Sequence, residues 1–292
     1  MGTFINQATL SYNGNVINSN VVTGELLEDI TATKIAVMPD YVAHDDVTYV
    51  ISIVNHGATG QVGLTITDNL GAYPFDATTL YPLTYNAGSV RYYVNGVLQP
   101  APATVAGPPL AISGINVPAS GNATIIYEVD TNQYAPLRVN DSITNRAVIS
   151  GIDGDPNSNV EITETIYTED LANLNISKSI CPAVVSEGDS ITYTFVIENF
   201  GNTPAIAADN VVITDTFNPH LLGTPTVVFT LDGNAPVTWT QGSQYNYTAA
   251  TGVFATVAGM VTVPAATFTQ DPVNGNWIVT PGISVLTVTG IV

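Results

Sequence analysis

Apolar and polar residues alternate along most of this chain with the two-residue period of a β-strand. The alternation is clearest in residues 47–54, 122–129, 191–198 and 284–291, which are rich in β-branched and aromatic side chains. Stretches containing Gly, Pro and Asn separate these segments and suit tight turns. No segment shows the periodicity of an amphipathic helix. The pattern predicts an all-β chain, and since each strand offers one apolar face, it predicts β-sandwiches of immunoglobulin type.

The alternating segments belong to a repeat that occurs twice. The chain has only two lysines, Lys34 and Lys178, and they fall on equivalent positions at an offset of 144 residues (178 − 34). The order of the two copies predicts tandem sandwiches at residues 30–170 and 171–292, which are long enough for two cores. Segments 48–57 and 64–71 of the first copy align with segments 192–201 and 211–218 of the second.

The second copy lacks the closing strands of the first. Residues 142–160 close the first copy, and their counterpart lies at the opposite end of the chain, in residues 3–21. The overlay has an offset of 139 (145 − 6) and places Asn6 on Asn145. An incomplete sandwich exposes an unpaired strand edge that invites strand addition. Residues 1–29 are therefore predicted to be a donor segment that completes the second domain of an identical neighbour, head to tail.

The donor segment has an apolar set that suits the predicted groove, although Ile5 interrupts the alternation. Two alternatives remain. The segment would fill the groove of its own chain if a hinge folded the two domains back on each other. It would also be explained as a terminal hairpin packed on the first domain. The apolar donor residues are Phe4, Ala8, Leu10 and Tyr12.

The order of short motifs in the two copies resembles a bacterial surface-protein repeat called domain of unknown function eleven. The motifs are TK, GDxITYT with a following NxG, ITDT, and ITNxA. The resemblance implies tandem immunoglobulin-like modules of extracellular or cell-wall proteins, with a structural rather than a catalytic role. The chain departs from that pattern because its second repeat is split at a loop and because a wall-anchor signal is not evident.

Each lysine lies among apolar residues on an early strand, where burial favours the neutral, nucleophilic amine. With an Asp on a central strand and an Asn on the closing strand, the set resembles Gram-positive pilin modules. In those modules the amine attacks the Asn carboxamide, a protonated carboxyl polarises the carbonyl, and ammonia leaves. The alternative is a buried Lys–Asp ion pair with Asn as a hydrogen-bond partner. The resemblance implies Lys34, Asn145 and Asp68 within the first domain, and Lys178 and Asp215 with Asn6 of the next subunit.

Charge argues against two classes of partner. The chain has 24 acidic and 5 basic side chains, for a formal net charge of −19. Nucleic-acid binding requires clustered Lys and Arg, and anionic membranes are disfavoured on the same ground. No stretch reaches the length of a membrane span. We expect neither a nucleic acid nor a membrane as a partner.

Catalytic and metal-binding motifs are not found in the sequence. It has no nucleophile elbow, phosphate loop or zinc pattern, so we expect no cofactor, no metal and no enzyme activity beyond self-crosslinking. Residues 153–159 carry oxygen side chains that suit calcium, but a hairpin turn is the preferred interpretation. His44, His56 and His220 are predicted to be surface residues. Cys181 is predicted to be a small buried hydrophobe, with an intermolecular disulfide as a minor alternative.

The features together predict a structural subunit of an extracellular fibre on a bacterial cell or spore surface, joined by donor-strand insertion. The N-terminal residues lack the pattern of a secretory signal, which favours assembly inside a cell that later lyses, as a spore-forming mother cell does. The main alternative is a monomeric surface adhesin or cell-wall binding module that recognises an unknown surface ligand.

Overall fold

The computed structural model describes residues 2–26 and 29–292. Apart from two short 3₁₀ turns, η1 (Ile152–Gly154) and η2 (Ala207–Asp209), its regular structure within these residues consists of strands, which confirms the all-β prediction. The chain divides into two compact units. Unit 1 comprises the residues up to Ala135 together with Ser142–Tyr167, and unit 2 comprises Pro136–Asp141 and Thr168–Val292. Residues 1, 27 and 28 of the predicted donor segment lie outside the described residues.

The N-terminal segment is a long β-hairpin. Its strands β1 and β4 pair from Gly2↔Leu26 to Asn6↔Val22, and β2 and β3 pair beyond them. The hairpin turns at Asn13 and Gly14, whose positive φ angles of 46° and 81° suit a type I′ turn. Among the described strands, these four pair only with each other. The strands are β1 (Gly2–Asn6), β2 (Thr9–Tyr12), β3 (Asn15–Asn18) and β4 (Val22–Leu26).

The rest of unit 1 is a sandwich of two antiparallel sheets. Its strands are β5 (Ile30–Ala36), β6 (Asp40–Tyr41), β7 (Asp46–Asn55), β8 (Gln61–Asp68), β9 (Tyr73–Phe75), β10 (Thr78–Leu80), β11 (Leu83–Tyr85), β12 (Arg91–Val94), β13 (Val97–Leu98), β14 (Ala103–Val105), β15 (Leu110–Val117), β16 (Asn122–Thr131), β17 (Ser142–Ser150) and β18 (Asn159–Thr168). One sheet has the order β13-β12-β16-β7-β5, with β11 also on β16, and the other has the order β14-β15-β8-β17-β18-β6. Alternate residues of the long strands are buried, so the core lies between the sheets.

Unit 2 repeats most of this plan. Its strands are β19 (Leu174–Cys181), β20 (Ser190–Asn199), β21 (Thr214–Thr216), β22 (Leu222–Leu231), β23 (Val237–Trp239), β24 (Tyr245–Thr248), β25 (Val253–Thr256), β26 (Thr267–Gln270), β27 (Trp277–Thr280) and β28 (Gly282–Ile291). The sheet β19-β20-β28-β22-β23 corresponds to β5-β7-β16-β12-β13, and the sheet β21-β25-β24 corresponds to β8-β15-β14. Aromatic side chains dominate its core, with Phe217 stacked on Tyr193 and tilted against Phe254.

The difference that matters for the site lies at β8 and its counterpart β21. In unit 1, β8 pairs with β15 on one side and with β17 on the other. Its counterpart β21 pairs with β25 alone, and the described part of unit 2 contains no strands that correspond to β17 and β18. As predicted from the sequence, the second sandwich therefore lacks the closing strands of the first. No helix among the described residues has the length and apolar character needed to cross a membrane.

Candidate crosslinking site

Lys34 and Asp68 form an ion pair between the two sheets of unit 1. Lys34 lies on β5, on the same inward face as Ile30 and Ala32, and Asp68 ends β8. The distance from Lys34 Nζ to Asp68 Oδ2 is 2.6 Å, and the side chains are 0% and 1% exposed. Buried charges of this kind are costly unless they are paired. The sequence therefore places a paired amine and carboxyl inside an apolar core.

Two tyrosines surround this pair. The Tyr127 hydroxyl donates to Asp68 Oδ2, and the Leu70 backbone N–H donates to Asp68 Oδ1 at 2.8 Å. Lys34 Nζ lies 4.6 Å from the centroid of the Tyr49 ring, which stacks on Tyr127 with 5.6 Å between centroids. Neither tyrosine belongs to the set of site residues predicted from the sequence. The signal that was available for Tyr49 is its repetition as Tyr193 at the offset of 144 (193 − 49).

Asn145 completes the cluster in unit 1. It lies on β17 and is fully buried. Its backbone carbonyl accepts a hydrogen bond from Lys34 Nζ at 3.2 Å. Its carboxamide atoms Nδ2 and Oδ1 are buried without a hydrogen-bond partner in the part of the chain that the structure describes. The three residues predicted for this site are thus brought together, with an uncommitted carboxamide beside the amine.

Burial of the site shifts Lys34 toward its uncharged amine form. Burial lowers the pKa of Lys34 below its ordinary value of 10.5, while the adjacent Asp68 carboxylate opposes that shift. A proton that passes from the ammonium to the carboxylate leaves two neutral groups, which a low-dielectric core tolerates better than two charges. The arrangement is therefore suited to nucleophilic attack by the Lys34 amine.

The equivalent pair in unit 2 is open to solvent. Lys178 on β19 contacts Asp215 on β21 as an ion pair, and its Nζ lies 4.7 Å from the Tyr193 ring centroid. The two side chains are 40% and 17% exposed, in contrast to the buried pair of unit 1. The absence of counterparts to β17 and β18 among the described residues accounts for the difference. The site in unit 2 has the amine and the carboxyl, but its own unit supplies no asparagine at the position of Asn145.

The predicted donor residues lie exposed along the N-terminal hairpin. Asn6, at the end of β1, and the apolar set Phe4, Ala8, Leu10 and Tyr12 all face solvent. At the offset of 139, Tyr12 falls one residue beyond the end of β17, opposite Gly151. The other residues overlay a set that is buried in unit 1. Phe4, Asn6, Ala8 and Leu10 correspond to Ile143, Asn145, Ala147 and Ile149.

The free hairpin has a different register from β17 and β18. Asn6 pairs with Val22, whereas Asn145 pairs with Glu164, which would correspond to Glu25 (164 − 139). The cause is the turn, because two residues connect β2 to β3 while residues 151–158 connect β17 to β18. The overlay therefore applies to the first strand of the hairpin, and its second strand must shift if it is to match β18.

The remaining residues considered in the sequence, which are the histidines, residues 153–159 and Cys181, lie outside the crosslinking sites. His44, His56 and His220 are exposed, and residues 153–159 belong largely to the turn between β17 and β18. Within the described ranges, no group of His, Cys, Asp and Glu side chains is arranged to hold a metal ion. The prediction that Cys181 is buried is wrong, since it is exposed at the end of β19. Strand β19 is an edge strand, and no described layer of unit 2 covers it.

Comparison with known proteins gives no family assignment. No protein-family model matches the chain, and no curated protein matches it, so the resemblance to domain of unknown function eleven is not confirmed. Solved structures with some similarity include the pilus backbone RrgB from Streptococcus pneumoniae, at 12% identity and a TM-score of 0.34 over 87% of this chain and 55% of that one. Domains D2 and D3 of the major pilin SpaD from Corynebacterium diphtheriae match at 13% identity and a TM-score of 0.35, over 86% of this chain and 88% of that one.

The major pilin subunit BcpA of Bacillus cereus matches at 11% identity and a TM-score of 0.34, over 96% of this chain and 73% of that one. The chain spans about half the length of the pneumococcal pilus backbone that it matches. At these identities and TM-scores the similarity carries no argument about function, which has to come from the geometry of the two units.

Proposed function

We propose that this chain is a structural subunit of a protein fibre, in which the N-terminal hairpin of one copy completes unit 2 of the next copy. The observation that carries the proposal is the comparison of two equivalent ion pairs. Lys34 and Asp68 are buried beneath β17, whereas Lys178 and Asp215 are 40% and 17% exposed beside an unpaired strand edge. The hairpin carries the residue types that β17 contributes in unit 1.

The inserted strand takes the place that β17 has beside β8. There Ala147 lies opposite Asp68 and Ile149 opposite Ile66. The overlay then sets Ala8 opposite Asp215 and Leu10 opposite the residue that corresponds to Ile66, which is Ile213. Main-chain hydrogen bonds satisfy the free edge of β21, and the inward residues fill the core.

After this insertion, each of the two lysines has an asparagine beside it. Asn145 lies beside Lys34 within one unit, and Asn6 of the neighbouring copy takes the equivalent place beside Lys178. The lysine Nζ forms a bond with the asparagine Cγ, the Cγ–Nδ2 bond breaks, and ammonia leaves. The aspartate accepts a proton from the amine and returns it to the departing nitrogen. Each reaction converts one amine and one carboxamide into an amide and ammonia, and the second reaction links two copies covalently.

The contact joins two different surfaces, the hairpin of one copy and the open edge of the next. A contact of this kind that does not close into a ring produces an open filament. The location of the fibre on a bacterial cell surface is supported by the resemblance of the motifs to bacterial surface proteins.

Deletion of residues 1–20 tests the proposal. The described strands of the hairpin pair only with each other, so both sandwiches should keep the melting behaviour of the full chain. We expect the full chain to form filaments in negative-stain micrographs and the deletion variant to form none. Filaments that persist unchanged without residues 1–20, or a full chain that stays monomeric and binds a surface ligand instead, would refute the proposal.

A further inference from the structure

Two buried tyrosine hydroxyls have no hydrogen-bond partner within residues 2–26 and 29–292. They belong to Tyr49 on β7 and Tyr193 on β20, which are 0% and 3% exposed and occupy equivalent positions in the two units. Neither hydroxyl has a partner among the described residues. A buried polar group in this state costs free energy, so its recurrence at the same position in both units needs an explanation.

Both tyrosine rings lie beside the lysine amine of a candidate crosslinking site. The lysine Nζ is 4.6 Å from the centroid of the Tyr49 ring and 4.7 Å from that of the Tyr193 ring. Both rings are held by stacking, Tyr49 on Tyr127 and Tyr193 on Phe217. The distance between the amine and the tyrosine ring is thus nearly the same in the closed unit and in the open one.

Tyr127 does not share this repetition. Its hydroxyl is already bonded to Asp68, and it lies directly opposite Tyr49 in the sheet. The residue directly opposite Tyr193 is Val288, which has no hydroxyl. A function common to both sites therefore falls to Tyr49 and Tyr193 and not to Tyr127.

The uncommitted group that faces Tyr49 is the Asn145 carboxamide. Burial raises the pKa of Tyr49 above its ordinary value, the Asp68 charge raises it further, and the Asn145 carboxamide opposes the rise. The phenol therefore keeps its proton at physiological pH and acts as a donor. The carboxamide has no hydrogen bond of its own within the described structure. The phenol and the carboxamide are thus a potential donor and a potential acceptor in one buried site, and neither has a hydrogen-bond partner among the described residues.

We propose that Tyr49 and Tyr193 are catalytic hydrogen-bond donors that stabilise the carboxamide oxygen while the lysine–asparagine amide forms. This inference rests on the proposed function. When Nζ adds to Cγ, the carbonyl electron pair moves onto Oδ1, and the phenol O–H donates to that oxygen. When the carbonyl re-forms, Nδ2 leaves as ammonia with the proton held by the aspartate, and the tyrosine keeps its own proton. In unit 2 the oxygen belongs to Asn6 of the neighbouring copy, so the Tyr193 hydroxyl stays without a partner until that copy arrives.

The test follows covalent linkage separately from assembly. Full-length Tyr193→Phe is allowed to polymerise, filaments are counted by microscopy, and detergent-resistant ladders are followed by denaturing electrophoresis over time. We expect filaments in normal number and ladders that form about a hundredfold more slowly, as when one oxyanion donor is removed from an enzyme. The matched control is Tyr245→Phe, which removes a buried hydroxyl that donates to the Pro225 carbonyl away from the site. It should form ladders at the wild-type rate.

The outcomes separate the two proposals. If Tyr193→Phe forms ladders at the wild-type rate, the inference is overturned while strand insertion stands. If wild-type filaments form without ladders, the crosslink and this inference are both overturned, and if no filaments form, the fibre proposal is overturned as well. Should Tyr193→Phe fail to fold, Tyr49→Phe gives the same test in unit 1. Intact mass of freshly synthesised chain should then show delayed ammonia loss, and loss at the wild-type rate would refute the donor role.

Discussion

Truncation of the donor side chain Leu10 to alanine should lower the affinity of one subunit for the next, and the size of the loss follows from how much of this side chain becomes buried. Leu10 is 61% exposed on the free hairpin, whereas its counterpart Ile149 is fully buried in unit 1. Leu10→Ala removes three carbon groups, worth about 0.8 kcal/mol each on complete burial. Since about three fifths of that surface is still exposed before insertion, the loss is about 1.5 kcal/mol, or about tenfold in affinity.

Ile5→Ala is the matched control for this change. It also removes three carbon groups from an exposed residue of the hairpin, but it corresponds to Thr144, which faces solvent in unit 1. A strand inserted in the register of β17 keeps residue 5 outward, so this variant should assemble as the parent does. If the inserted strand slipped by one residue, residue 5 would face inward and residue 10 outward, and Ile5→Ala would weaken assembly instead of Leu10→Ala.

The assay is the critical concentration for filament formation, measured by sedimentation. Both variants are made in an Asn6→Ala background, which prevents covalent linkage and keeps assembly reversible. We expect a critical concentration about tenfold higher for Leu10→Ala and no change for Ile5→Ala. Equal effects of the two substitutions, or a larger effect of Ile5→Ala, would contradict the register that we propose.

Three further predictions concern the crosslinking sites. Asn145→Ala prevents the crosslink, so after correction for the smaller side chain its intact mass should exceed that of the crosslinked chain by one ammonia. The melting temperature of unit 1 should fall. If Lys34 and Asp68 form only an ion pair, the loss of an unpartnered carboxamide should instead leave the stability equal or higher. In an Asn145→Ala background, where Lys34 cannot be crosslinked, Lys34→Met leaves Asp68 buried without its ion-pair partner, which should cost unit 1 about 3–5 kcal/mol in urea unfolding. Lys178→Met in the exposed pair should have a much smaller effect, and equal losses would contradict the difference in burial. The pKa of Lys34 is lowered in the folded state, so the unfolded state binds more protons between that lowered pKa and 10.5. The stability of Asn145→Ala relative to Asn145→Ala/Lys34→Met should therefore rise with pH in that window. A fall in this relative stability would show that the pKa of Lys34 is raised by folding and not lowered.

Much of the architecture follows from the sequence because β-strands have a simple periodicity. The alternating segments became β7, β16, β20 and β28, and the repeat placed Lys34 beside Asp68 and Lys178 beside Asp215. Side-chain alternation fixes which face of a strand is inward, and two copies at a constant offset show which inward residues recur. These two features are enough to locate the amine and the carboxyl of each site.

The tyrosines and the hairpin register did not follow from the same pattern. An inward tyrosine on a β-strand is expected in any aromatic-rich core, and only the coordinates show that the Tyr49 hydroxyl has no partner among the described residues. An alignment without gaps also conceals the turn at Asn13 and Gly14, which shifts the pairing of Asn6 by three residues (25 − 22). Cys181 was wrongly placed because its burial was predicted from the residue type alone, whereas it lies three residues from the inward-facing Lys178, on the opposite face of the edge strand β19.

Disulfide trapping between copies tests the insertion of the hairpin most directly. Val148 lies opposite Thr67 in unit 1, and the overlay therefore sets Thr9 of one copy opposite Thr214 of the next, both on the solvent face. Thr9→Cys and Thr214→Cys are combined in an Asn6→Ala/Cys181→Ala background, with each single cysteine as a control. We predict a ladder of linked subunits on non-reducing gels that collapses to monomer on reduction. Monomers alone under oxidising conditions, or a disulfide that closes within one chain, would contradict the account.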